Sequence, residues 1–192
     1  MTLQAEGTRT AQILDVAERL VQTRGFNDFS YADIAEDLAI TKAALHYHYR
    51  SKAALGDALI ARYSGRFLHE LEVIEATETR ARARLEAYVG LYRSVLAAGR
   101  MCLCGMLAAE YLTLPAPMRA AVGQFFDRNE AWLERVLGEG FAAHELFAAE
   151  PVRDSARMII DTLEGAMMIA RARDDIDRFD RVASRLLASL GA

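Results

Sequence analysis

SYADIAEDLAITKAALHYHY, residues 30–49, holds two short helical signals separated by a three-residue turn. Ser30 is a helix N-cap, with Phe29 before it and Ile34 four residues on, placed as a hydrophobic staple. The device then repeats: Thr41 caps a second short helix, and Ile40 and Leu45 occupy the same staple positions. Two capped helices this close must cross at a large angle, which is helix-turn-helix geometry. Ala35 is small where the two helices approach, and Ile34, Leu38, Ile40 and Leu45 supply an apolar centre.

Working outward, Ile13, Leu14, Ala17, Leu20 and Val21 form an amphipathic stripe that predicts a first helix, stopped at Arg24-Gly25. Ser51 caps a further start, and Leu55, Leu59, Tyr63, Phe67, Leu71 and Ile74 continue it to about Glu78. Stripes at Leu85–Leu96, Met101 to about Leu112, and Val122–Leu137 predict three more helices, the second of them stopped by Leu114-Pro115-Ala116-Pro117. Two last helices are expected at about Val152–Ala172 and Ile176–Leu190, with Pro151 suited to the first turn of the earlier one. The three prolines all lie between Pro115 and Pro151, and no long stretch alternates as a strand would. The spacing therefore predicts an all-α chain: residues 1–50 as a three-helix head, residues 51–192 as a larger helical body.

Composition narrows the function classes. With 192 residues, 53% hydrophobic and 26% charged, the chain is of the globular rather than the disordered class. Its two cysteines, Cys102 and Cys104, are too few and too close for a disulfide framework, so a cytoplasmic location is expected. Glu6 interrupts any signal-peptide apolar run, and the longest apolar stretch, Met101–Ala109, is about half a membrane span. The formal charge of −4 argues at first against nucleic acid. Locally the sign reverses, because Thr41–Lys52 contains Lys42, Arg50 and Lys52 and no acid. The second short helix exposes Lys42, Ala43, His46 and Tyr47, groups short or flat enough to enter a major groove. His46 and His48 point about 200° apart on a helix, so they do not chelate one metal ion.

Residues 9–59 resemble the DNA-binding head of the tetracycline-repressor (TetR) family. The resemblance rests on ILDVAERL, the RGF stop, the DIA centre and the L-H-Y-H-Y-R-SK ending, in order and at the family's spacing. It implies a head on a ligand-binding body, with dimerisation through the last two helices. It also implies that Thr41 keeps a cap hydroxyl where serine is usual, and that Lys42 reaches a base or phosphate. Tyr47 and His48 would contact the DNA backbone, and Lys52 would bind phosphate. Three positions depart from the family pattern. Ala39 replaces a turn glycine, so a left-handed residue there carries about 1–2 kcal/mol of strain. Ala43 stands where glycine is frequent, and His46 replaces a tyrosine, which bears on operator sequence.

The body's apolar stripes carry Phe67, Tyr88, Tyr92, Met106, Tyr111, Phe125, Trp132 and Met167, with polar interruptions at Asn129 and Glu110. Such residues form core or line a ligand cavity, and a buried polar group needs a partner in either case. Together with Cys102 they are the candidate ligand-binding set. Cys102 and Cys104, near Arg100 at a helix start, are either packed thiols or, as in some members of the family, electrophile sensors. Met158, Ile159, Leu163, Ala166, Met167 and Ala170, with Phe179, Val182, Leu186, Leu187 and Leu190, could build a four-helix bundle with a second copy. No phosphate loop, HExxH or GxSxG motif suggests catalysis, and no metal or cofactor is expected. The expected protein is a homodimeric, ligand-responsive repressor on a near-palindromic double-stranded operator, released by a small, mostly apolar effector. The rivals are a thiol-based regulator and a helical enzyme or scaffold that does not read DNA.

Overall fold

The computed structural model describes residues 2–147 and 151–191, with side chains from residue 7 onward, so the side chain of Glu6 lies outside the described part. Among the described residues the chain is helical throughout: α1 (Thr2–Arg24), α2 (Tyr31–Asp37), α3 (Lys42–His48), α4 (Lys52–Thr77), α5 (Ala81–Ala97), α6 (Leu103–Ala109), a 3-10 turn (Tyr111–Thr113), α7 (Ala116–Ala142), α8 (Val152–Ala172) and α9 (Ile176–Ser189).

Two compact units emerge. The first joins the chain up to Gly65 with Leu103–Gly123, and the second joins Arg66–Cys102 with the chain from Gln124 onward. The compact unit around the head is thus larger than residues 1–50, since it includes the first half of α4 and all of α6. In the second unit α8 and α9 pair closely, and both pack on α5. Its core is built on Tyr88, Phe125, Leu133, Leu163, Met167 and Phe179, all buried.

In the first unit the stripe of α1 is buried through Ile13, Ala17, Leu20 and Val21. The helix ends where Gly25 turns left-handed at φ 96°. Its N–H donates to the Val21 carbonyl at 2.9 Å. Ser30 caps α2, its hydroxyl oxygen accepting from the Ala32 N–H at 3.1 Å, while the Asp33 carboxylate accepts from the Ser30 N–H at 2.8 Å. This reciprocal pair is a capping box with aspartate in the third position.

The expected helix over Met101 to about Leu112 is shorter than its stripe suggested. α6 covers only Leu103–Ala109, and the chain then tightens into the 3-10 turn before Pro115. Cys102 directly precedes the helix and Cys104 lies in its first turn, both buried. Pro151 is the N-cap of α8, one residue before the first turn.

Ala39 adopts φ 51°. This left-handed residue lets the turn close, with the Ile40 N–H donating to the Ala35 carbonyl at 2.9 Å. The Ala39 side chain is exposed and its methyl has little packing to lose. Ala39→Gly removes the steric penalty and adds unfolded-state entropy, for a net gain of roughly 0.5–1 kcal/mol. Urea denaturation should show this as a higher midpoint with an unchanged slope; a lower midpoint would mean the methyl is favourable where it stands.

Candidate nucleic-acid interface and effector core

α3 has seven residues and one fully buried side chain, Leu45. So short a helix is unstable alone, and both its register and its outward face follow from that anchor. Thr41 caps it, the hydroxyl oxygen accepting from the Ala44 N–H at 3.1 Å. Lys42, Ala43, His46, Tyr47 and the following Arg50 are exposed together, with Tyr47 at 76%. A tyrosine turned this far into solvent gives up its apolar packing, which suits a side chain placed for contact rather than for core. The His46 ring leans on the Tyr31 ring, centroids 4.8 Å apart, and the Tyr31 hydroxyl donates to the Tyr49 carbonyl at 2.9 Å. His48 is half-buried, its Nδ1 3.3 Å from the Thr10 hydroxyl of α1.

The acids behind this face are engaged elsewhere. Asp37 pairs with Arg19 at 2.8 Å and Asp33 with Arg24 at 3.3 Å. Hydrogen bonds from Ser30, with lesser help from Arg24, hold the Asp33 carboxyl below its usual range. α1 thereby pairs two of the three acids of α2, leaving Glu36 exposed.

Lys52 departs from its expected role as a free phosphate ligand. Its ammonium donates to the Phe29 carbonyl and lies 4.3 Å from the centroid of the Phe29 ring and 4.8 Å from that of Phe26. Burial pulls its pKa below the ordinary lysine value, against an opposing pull from Glu110. The side chain ties the start of α4 to the α1–α2 loop.

Glu110 also differs from expectation. Its carboxylate accepts from the Phe26 N–H at 2.6 Å and from the Asn27 N–H at 3.2 Å. The Asn27 side-chain amide donates to the Thr113 hydroxyl at 2.7 Å beside it. A Cβ at Gly25 would lie 2.7 Å from Glu110 Oε1, so the glycine is needed for space as well as for its positive φ. Glu110 is a cap for the loop leading into the helix-turn-helix, not a ligand-facing group. Tyr111 is half-exposed under Arg119, and Met106 is partly exposed; like Glu110, both belong to the first unit.

Phe67, Tyr88, Tyr92, Phe125, Asn129 and Trp132 do come together in the second unit. Phe67 meets Tyr88, Tyr92 and Phe125 edge-on at centroid distances of 6.1, 6.1 and 5.2 Å. Trp132 stacks on Tyr88 at 5.4 Å. Asn129 has its partners inside the core, Tyr88 and the Phe125 carbonyl, so another helix rather than a ligand satisfies it. Cys102 and Met167 are buried in the same unit.

The sequence reading missed Glu164 of α8. The Cys102 thiol bonds to its carboxyl, and burial pushes its pKa up to about 7. The signal was present: Ile160, Glu164 and Met167 follow one another along one helical line, with apolar residues on either side of the acid. Among the described residues no group of three or more His, Cys, Asp or Glu is placed to hold a metal ion, and no helix is long and apolar enough to cross a membrane.

An all-helical chain that presents an exposed recognition helix ahead of a larger helical body defines a DNA-binding transcriptional regulator. Residues 13–59 match the family model of bacterial regulatory proteins of the tetR family, and residues 79–186 match the tetracyclin repressor-like C-terminal domain. The chain belongs to the TetR family, whose members are DNA-binding regulators and not enzymes. A TetR-family transcriptional regulator from Agrobacterium tumefaciens superposes with a TM-score of 0.93 at 30% identity, over 97% of this chain and 99% of that one. The nucleoid occlusion factor SlmA of a Marinomonas species is 27% identical over 158 residues, 82% of this chain and 80% of its own. The HTH-type transcriptional repressor NemR of Escherichia coli is 27% identical over 163 residues, 81% of this chain and 80% of its own.

Truncating Glu110 to alanine leaves two backbone donors of the α1–α2 loop without their acceptor. A loss of about 1–3 kcal/mol is expected in urea denaturation. A loss below about 0.5 kcal/mol would mean that water replaces the carboxylate without penalty.

Proposed function

We propose that this chain is a ligand-responsive transcriptional repressor that binds a near-palindromic operator as a homodimer and is released by a small, mostly apolar effector. The observation that carries the DNA half is the outward face of α3, where Lys42, Ala43, His46 and Tyr47 stand exposed around a helix anchored only by Leu45. Thr41 and His48 border that face, and Lys52 supports it from behind. Residues 1–50 carry the reading head and residues 51–192 the effector and dimer functions. α4 is one uninterrupted helix whose two halves belong to different units, which makes it a direct covalent route from effector to head. Coupling of this kind is reciprocal: an effector that weakens operator binding is itself bound more weakly by the operator complex.

The effector half is supported by the aromatic cluster of Phe67, Tyr88, Tyr92, Phe125 and Trp132 around Asn129. A thiol-modification route is less well supported, because both Cys102 and Cys104 are buried. Dimerisation is assigned to α8 and α9. Met158, Met168 and Ile169 are exposed on α8 although large and apolar, and a groove lined by Met158, Thr162, Val182 and Leu186 runs between the two helices. Gly165 lies on the same exposed side, and a Cβ there meets nothing within 4 Å.

In a gel shift with DNA from upstream of its own gene, binding should be sequence-selective and weaken steeply with salt. Tyr47→Ala should weaken operator binding at least about tenfold and move the melting temperature by no more than about 2 °C. Equal affinity for random duplex overturns the repressor reading, and a large loss of stability in Tyr47→Ala would make Tyr47 a packing residue. Gly165→Glu places like charges where two copies meet while leaving the isolated fold intact. Sedimentation should then show a monomer with native helicity; a variant that remains dimeric puts the interface elsewhere.

A further inference from the structure

The buried polar groups of α5 and α7 form a chain whose protons run one way. Asn129 donates from Nδ2 to the Phe125 carbonyl at 2.9 Å, so Oδ1 is the atom turned toward Tyr88. Tyr88 must therefore donate its hydroxyl to that oxygen, at 3.1 Å. With this proton engaged, Tyr88 can only accept from the Tyr92 hydroxyl, also at 3.1 Å. The chain begins at Tyr92, whose oxygen keeps lone pairs but has no proton left to offer.

Glu164 of α8 belongs to the same unit as this chain. It interacts electrostatically with both tyrosines, and a hydrogen bond reaches its carboxyl from Cys102. Glu164 Oε1 is buried and has no hydrogen-bond partner among the described residues, and neither has the buried Trp132 Nε1 on the ring stacked against Tyr88. An unmatched acceptor and an unmatched donor thus border the same tyrosine. Native cores rarely leave such atoms unmatched without a functional reason. Burial also pushes the carboxyl up to about 7, so the acid titrates near neutrality. The Cys102 hydrogen bond works against this rise, and Tyr88 and Tyr92, on which Glu164 acts, are held neutral by burial.

We propose that this corner of the core is the polar end of the effector site, and that the effector carries a hydrogen-bond donor, a hydroxyl or an amine, on a flat apolar body. Glu164 Oε1 is its acceptor. The donor is required because the tyrosines have none to give, and at pH 8, where Glu164 is ionised, a carboxylate-bearing molecule is repelled by it. The flat body matches the rings of Phe67, Tyr88 and Trp132. This proposal rests on the effector reading above and names the chemistry of that effector.

The test compares four probes of similar size, 2-phenylethanol, 2-phenylethylamine, ethylbenzene and phenylacetate, each at about 1 mM so that ethylbenzene stays dissolved, in thermal melts of the full chain at pH 8. The alcohol and the amine should each raise the wild-type melting temperature by about 2 °C or more. Ethylbenzene should raise it less and phenylacetate not at all. The effect of the amine should grow from pH 6 to pH 8 as Glu164 ionises. In Glu164→Leu the advantage of alcohol and amine over ethylbenzene should vanish. Glu164→Gln keeps an acceptor oxygen without the charge; it should still prefer the alcohol but lose the pH dependence of the amine, and it serves if the leucine variant does not fold. The proposal is overturned if no donor-bearing probe shifts wild type, if donors do no better than ethylbenzene, or if their advantage survives in Glu164→Leu. Gel shifts on the same samples report operator binding separately, so a failure of the DNA reading is distinguished from a failure of the ligand chemistry.

Discussion

The outward face of the reading head depends on a single buried side chain. α3 is two turns long, too short to persist in water without tertiary support, and Leu45 is the one residue it buries completely. The helix is held by this contact and by the Thr41 cap, with the His46 ring resting on Tyr31 and His48 beside Thr10 of α1. The turn that brings α3 onto α2 requires a left-handed residue, and the chain meets the requirement with Ala39 at φ 51°. Backbone strain of about 1–2 kcal/mol is small against the loss of the whole face.

The base of the head is held by charged groups turned inward. Lys52 lies against Phe26 and Phe29 and bonds to the Phe29 carbonyl. Glu110 accepts from the backbone of Phe26 and Asn27. A cation and an anion from distant parts of the chain thus converge on the loop between α1 and α2, so the entry to the helix-turn-helix is fixed electrostatically as well as by packing. The arginines of α1 pair with Asp33 and Asp37 of α2, and a chain with formal charge −4 still presents Lys42 and Arg50 exposed on and beside α3.

Much of the fold was legible along the chain. Ser30, Thr41 and Ser51 act as caps in the structure, and Gly25 terminates α1. The last two helices run at Val152–Ala172 and Ile176–Ser189, close to where their stripes placed them. The exposed face of α3 was legible for the same reason, since helical period alone separates buried Leu45 from exposed Lys42, His46 and Tyr47. What periodicity misjudged were polar residues on apolar stripes. Asn129 and Glu110 look alike in one dimension, each a polar group among apolar neighbours. In the structure one closes a hydrogen-bond chain within the aromatic core and the other caps a loop 84 residues earlier in the chain. Glu164 was passed over because its neighbours Leu163 and Met167 make the stripe look complete.

Caps, turns and amphipathic faces are set by interactions within a few residues, and the sequence by itself therefore determined the helices, the helix-turn-helix and its exposed face. The partner of a buried polar or charged group is chosen by which distant helix packs against it. Only the tertiary structure decided that Lys52 faces two phenylalanine rings, that Glu110 serves the head, and that Glu164 acts electrostatically on two buried tyrosines. The physical reason is that desolvation makes each such group depend on a neighbour that no local spacing encodes.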